Sequence, residues 1–240
     1  MYQKRTYRDL IHDNRFTYFQ VAVKETDLYI GANKDLSAEA RDAVLKYRHQ
    51  IEEYIRMFPE FQTSLIPLPL DPFAPRIIKA MMEASRAVDV GPMAAVAGAI
   101  SEFIGKELLN QSEEIIVENG GDIFLKTSSE TSIGIYAGTS PLSNRIGIKI
   151  SPDDTPLGVC TSSGTVGHSI SFGRADAVTV VSKSALLADA AATAIGNLVR
   201  DKGDFNRALE FASKIGGIMG VLIIRGKEMA VCGKVELIET

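Results

Sequence analysis

The sequence predicts an α+β fold, in which strands and helices occupy separate runs of the chain instead of alternating strictly. Two observations carry this reading. Short stretches rich in β-branched and aromatic residues open the chain at 16–24 and 26–32, recur between 115 and 150, and close it at 218–238. Elsewhere, over 37–58 above all, apolar residues return at spacings of three and four, as they do on the buried face of a helix.

The first two stretches, "FTYFQVAVK" and "TDLYIGA", are separated by almost nothing and read as a hairpin. Ser37 then stands as an N-cap for a helix whose apolar stripe is Ala40, Val44, Tyr47, Ile51, Tyr54 and Ile55, and Pro59 stops it. Residues 64–75, "SLIPLPLDPFAP", carry four prolines in twelve and predict an extended connection, because proline cannot donate to a central sheet ladder. The chain reads as one domain, 1–240, with a sub-boundary in that segment.

Helices follow at 75–87 and 93–109, the second so rich in Ala and Gly that a neighbour must approach closely. That neighbour is either another part of the chain or a second copy, so a homo-oligomer stays open. Strands are predicted at 115–118, 122–125, 131–136, 145–150 and 177–181, helices at 184–199 and 205–214, and a closing meander at 218–225, 228–232 and 234–238.

The 240 residues, 45% hydrophobic and 23% charged, suffice for a sizeable core. A net charge of −4, with no run of Lys or Arg, argues against a nucleic-acid partner, since a phosphate backbone demands a basic face. Two isolated cysteines, Cys160 and Cys232, do not make a disulfide framework and favour a reducing compartment. The opening "MYQKRTYRDLIHDNRF" places charge every few residues and has no signal-like apolar core. Nor is there an apolar run of roughly 18 residues, so the expectation is a cytoplasmic chain with no membrane partner.

Three stretches carry candidate chemistry. In "VENGGDIFL" an apolar strand turns at Asn119, Gly120, Gly121 and Asp122. Asn-Gly alone signals a hairpin turn; the second glycine followed by a carboxylate adds close backbone approach and an acceptor. In "TSSGTVGHS", six of the seven residues 161–167 are Thr, Ser or Gly. Thr161, Ser162, Ser163 and Gly164 read as a loop able to wrap an anion, and His168 as a proton-transfer group or donor beside it; a plain surface loop explains the composition equally well. In "LADAAATAIG", Asp189 and Thr193 lie four apart on a helix, where their oxygens share one face and suit a hard cation such as Mg²⁺. The bland alternative is an aspartate favoured by the helix dipole.

The series "ENGGDI", "TSSG" with His168, and "AVTVVSKSALLADAAATA" resembles the ApbE family of FAD-dependent flavin transferases, and more closely an ApbE-like branch of that superfamily, over residues 89–199. The resemblance implies mostly antiparallel sheets and segregated helices around a central cleft that binds FAD with Mg²⁺. It implies transfer of FMN to a protein hydroxyl with release of AMP. Asp189 and Thr193 match the family's metal-binding pair, Gly120, Gly121 and Asp122 its "GGD" turn beside the flavin nucleotide, Ser162, Ser163 and Gly164 its "TSG" loop, and His168 the histidine opening "HxxDPxTG".

The chain departs from that pattern as well. Ser171 and Phe172 stand where the family has Asp-Pro, with Asp176 as a displaced substitute, and no lysine stands near Gly98 in "DVGPMAAVAG". Two functions follow: an enzyme that cleaves a nucleotide pyrophosphate, the acceptor being a protein hydroxyl or water, or a non-catalytic protein that binds a flavin or another phosphorylated small molecule. A third reading makes Ser163 or Cys160 a nucleophile with His168, without the G-x-S-x-G elbow that would support it.

Overall fold

The computed structural model describes residues 8, 13–166 and 172–240. Its centre is an eight-stranded sheet in the order β1-β2-β3-β4-β7-β8-β9-β10, antiparallel throughout. The strands are β1 (Thr17–Val23), β2 (Thr26–Ala32), β3 (Ile115–Asn119), β4 (Asp122–Lys126), β7 (Leu157–Ser162), β8 (Ala177–Ser182), β9 (Ile218–Arg225) and β10 (Glu228–Gly233). A smaller sheet, β11-β6-β5, holds β5 (Thr131–Gly134), β6 (Ile146–Ile150) and β11 (Glu236–Glu239).

Strand alternation divides the core into two layers. One face of the large sheet, with Leu28, Ile30, Val117, Phe124, Cys160, Val178 and Val180, packs on the helices. The opposite face, with Leu125, Val159, Ala177, Val181, Leu222 and Ile224, packs on Ile146, Ile148 and Ile150 of the small sheet. The helices are α1 (Ser37–Met57), α2 (Glu60–Thr63), α3 (Arg76–Ala87), α4 (Val96–Leu108), α5 (Ala185–Leu198) and α6 (Phe205–Ser213). Among the described residues no single helix is long and apolar enough to cross a membrane.

The α4 and α5 helices position the site. Ala188, Ala190, Ala191 and Ala192 of α5 are all fully buried, as expected of a helix whose apolar faces are covered by neighbours while one side carries Asp189 and Thr193. Small residues let α4 approach both α5 and the sheet closely: a Cβ on Gly98 would lie 2.3 Å from the backbone oxygen of Ala185, and one on Gly105 would lie 2.3 Å from the Phe124 ring. The Ala/Gly-rich face of α4 is therefore covered within the chain. Buried Glu102 reaches across from α4 and accepts the Ala185 N–H at 2.6 Å, while the Ser184 side chain accepts the Leu187 N–H, so the start of α5 is capped twice.

Four expectations need correction. Ser37 is the first helical residue and not the cap; Asp35 Oδ1 accepts its N–H at 2.8 Å. The chain runs as a strand through Leu157–Ser162, so Thr161 and Ser162 are not loop residues. The prediction missed this strand because its buried residues, Leu157 to Cys160, show no polar alternation. The closing stretch is not a single meander: β9 and β10 form a hairpin, and β11 crosses to the small sheet to pair with β6. The helix predicted over 93–109 begins as a 3₁₀ turn, Pro92–Ala95, before α4.

Candidate functional site

The β3–β4 hairpin turns on two glycines. Asn119 pairs with Asp122, and between them Gly120 and Gly121 have φ of 71° and 106°, a region that side chains rarely adopt. The turn is tied on three sides. Gly121 N–H donates to Glu118 Oε1 at 2.9 Å, Gly121 O accepts the Thr161 N–H at 3.2 Å, and Asn119 Nδ2 donates to Ala97 O at 3.2 Å. Register then fixes direction: Asp122 pairs with Cys160 and shares the helix-side face with Phe124.

Asp189 comes down on the same junction from α5. Its Oδ2 accepts the Gly98 N–H at 2.9 Å, satisfying one of the free donors at the start of α4. The Cys160 thiol donates to Ala185 O at 3.3 Å. The turn, β7, the start of α4 and the first turns of α5 thus meet at one place, and two carboxyl groups meet with them.

Those carboxyls have no cation among the described residues to balance them there. Asp122 is 8% exposed and its Oδ1 is buried with no hydrogen-bond partner. Burial pushes Asp122 well above the ordinary carboxylate range, and the charges of Asp189 and Glu118 push it further. Burial raises Asp189 to about 7, opposed by the N–H groups of Gly98 and Ala97. Cys160 rises for the same reasons, burial first and then the Asp122 and Asp189 charges. It stays a thiol, which removes it as a nucleophile.

Thr193 stands one helical turn beyond Asp189, half-buried on the same side of α5. One turn further, a Cβ on Gly196 would lie 3.8 Å from Ser162 Oγ, which places Ser162 against the same helix. The structure therefore brings Asn119, Gly120, Gly121, Asp122 and Asp189 to one junction, with Thr193 one turn further along α5 and Ser162 packed on that helix beside Gly196. Among the described residues no group of three or more His, Cys, Asp or Glu is placed to hold a metal ion, so a cation here would draw on two carboxylates and a hydroxyl.

The remaining residues of the polar run go elsewhere. Thr161 faces the other side of the sheet, where its Oγ1 lies 2.9 Å from Thr179 Oγ1. Ser163 Oγ accepts the Thr165 and Val166 N–H groups at 3.1 and 3.0 Å, closing its own turn. Gly164 spends its N–H on Ala175 O at 2.9 Å, so this donor does not cradle an anion. Its glycine identity serves packing, because a Cβ there would lie 2.3 Å from Gly173 O. Asp176, the displaced substitute for the missing carboxylate, is buried and accepts Thr165 Oγ1 at 3.0 Å, Gly226 N at 2.6 Å and Arg225 Nη1 at 3.4 Å. His168 lies outside the described residues.

Cavities of about 750 and 620 Å³ open on the surface, the first around Lys126, Thr127 and Asp153, the second around Lys79, Glu102 and Lys106. Neither includes Asp122, Asp189 or Thr193. Sequence reasoning did not find the Gly98 N–H, Glu118 or Arg8 as parts of this arrangement. Their contacts span the chain, and no local spacing signals them.

The antiparallel sheet, its glycine turn and the half-buried Asp189 and Thr193 of α5 belong to an α+β protein of ApbE-like fold. The chain belongs to the family described as AbpE bacteria, whose model matches residues 8–219. It is 46% identical over 222 residues to a UPF0280 protein of Methanococcus aeolicus, covering 90% of each chain. It is 42% identical over 228 residues to a UPF0280 protein of Methanocaldococcus jannaschii, covering 92% of this chain and 93% of the other. Among solved structures it is similar to the apo flavinyl transferase ApbE of Pseudomonas stutzeri, with a TM-score of 0.61 at 13% identity over 90% of this chain and 94% of that one. The ApbE protein of Thermotoga maritima matches with a TM-score of 0.56 at 12% identity, over 90% of this chain and 96% of that one. These last two likenesses are of fold.

Proposed function

We propose that the chain binds a nucleotide pyrophosphate, with FAD as the first candidate, together with a divalent cation at the junction of Asp122, Asp189 and Thr193. One observation carries this reading: buried Asp122, whose Oδ1 has no hydrogen-bond partner among the described residues, and half-buried Asp189 converge where the β3–β4 turn meets α4 and α5. Hard cations take carboxylate and hydroxyl oxygens, and Mg²⁺ needs only one or two carboxylates beside phosphate oxygens, so these residues fit it. When bound, the cation would neutralise charge on the pyrophosphate.

The chain's own groups have distinct tasks in this proposal. Gly98 N–H orients Asp189, Asn119 ties the turn to the α4 entry, and Ser162 offers a hydroxyl donor toward phosphate oxygens. His168 holds or moves the proton of the acceptor hydroxyl. The transferase form of the reaction joins the FMN phosphorus to a protein hydroxyl oxygen and releases AMP; with water as acceptor it is hydrolysis. The flavinyl transferase similar in fold supports FAD as the nucleotide to test.

A second reading, binding without chemistry, is favoured by Asp176. The carboxylate that follows His168 is fully engaged with Thr165, Arg225 and Gly226 and leaves the loop without a spare acid. Incubation of the chain with FAD and Mg²⁺ separates the readings: AMP release indicates transfer or hydrolysis, and metal-dependent retention of yellow ligand without AMP indicates a carrier. Absence of both defeats the proposal.

A further inference from the structure

We infer that Arg8 is a positioning residue for this site: by bridging Asp27 and Glu118 it sets the glycine turn that carries Asp122. The inference rests on the cation-binding reading above. Its contacts form a continuous chain. Arg8 Nε donates to Glu118 Oε2 at 2.7 Å, Nη1 to Asp27 Oδ1 at 3.0 Å and Nη2 to Asp27 O at 2.9 Å. Gln20 Nε2 donates to the same Asp27 oxygen at 2.6 Å, and the guanidinium carbon lies 5.5 Å from the centre of the Tyr29 ring. The other Glu118 oxygen accepts the N–H of Gly121, the residue before Asp122.

Arg8, Asp27 and Glu118 are 8%, 4% and 3% exposed, so little water screens these pairs. Glu118 pairs with Ile123, which packs on the small-sheet side, and Asp122 faces the helices. Arg8 therefore acts from the far face of the sheet, through the turn. Removing the guanidinium takes the fixed Nε donor from Glu118 Oε2 and the Nη donors from Asp27. With Oε2 no longer held by Arg8 Nε, the carboxylate rotates, its hold on the Gly121 N–H loosens, and the turn that carries Asp122 is less fixed.

The test titrates Mn²⁺ into the full chain by electron paramagnetic resonance and follows the Gly121 amide proton by NMR, for Arg8→Ala, Glu118→Gln and the double variant. Arg8→Ala is expected to weaken Mn²⁺ binding roughly tenfold, the scale for outer partners of a metal ligand, and to shift the Gly121 proton upfield. Glutamine keeps an oxygen for Gly121 and needs no guanidinium, so the double variant regains affinity to within roughly threefold of the unmodified chain. Unchanged or tighter binding in Arg8→Ala, the latter being the mark of a direct charge effect, overturns the inference. So does a loss that the double variant does not relieve. If Arg8→Ala does not fold, the double variant decides alone: recovered affinity supports the inference and lost affinity overturns it. An unmodified chain that takes up no Mn²⁺ overturns the cation site and this inference with it, whereas normal uptake with an unaffected Arg8→Ala overturns only the inference.

Discussion

Asp189 and Gly98 are joined across 91 residues by a 2.9 Å hydrogen bond from the Gly98 N–H to the Asp189 carboxylate. The bond exists because glycine leaves the space: a Cβ at position 98 would lie 2.9 Å from Asp189 Cβ and 2.3 Å from Ala185 O. Backbone cannot yield as a flexible side chain can. Gly98→Ala is expected to destabilise the fold by about 3 kcal/mol, read from urea midpoints, and to lower Asp189-dependent cation affinity. A change below about 1 kcal/mol contradicts the close packing of α4 on α5.

The raised carboxyl groups set a pH dependence. Asp189 titrates near 7 in the folded chain, whereas an unfolded aspartate titrates near about 4. Between those values the folded state binds more protons than the unfolded state, so stability falls as pH rises and levels off above the folded value. Burial raises Asp122 as well, so it adds to the fall. Carboxylates held low by basic partners, such as Glu52 by Lys24 and Glu107 by Lys46, act with the opposite sign, but below the ordinary carboxylate range. Urea midpoints measured without metal from about pH 5 to 8 are expected to decline. A flat or rising profile contradicts raised Asp122 and Asp189 carboxyls.

Replacing Asp122 with asparagine separates stability from function. It removes the like-charge contact and is expected to stabilise the metal-free chain at neutral pH by on the order of 1 kcal/mol. Cation affinity should fall by more than the roughly 10–100-fold typical of outer partners. Calorimetry and urea unfolding on one preparation read both. If Asp122→Asn is less stable and binds metal normally, the carboxylate is structural.

Asp176 gives a control with the reverse pattern. It pins Thr165 to Gly226 and Arg225, so Asp176→Ala should cost about 1 kcal/mol by removing the buried acceptor these groups share. Cation affinity should not move. A selective loss of metal or FAD binding would restore Asp176 as a member of the site.

Much of this was legible in the sequence, because the strongest signals were local. The glycine turn followed from Asn119-Gly120-Gly121, and the shared face of Asp189 and Thr193 from helical spacing. The polar run misled, because composition does not give register. Thr161 and Ser162 continue a strand, so adjacent hydroxyls point to opposite faces and only Ser162 lies against α5. The small-sheet partner of β11 and the reach of Arg8 to Glu118, 110 residues apart, have no local signature at all.

The central claim is that Asp122 and Asp189 together hold a divalent cation. Anomalous diffraction from crystals soaked in Mn²⁺ tests it most directly. The account predicts a single strong peak bonded to both carboxylates and lost in Asp122→Asn. A peak elsewhere on the chain, or none at concentrations that saturate ordinary divalent sites, contradicts it.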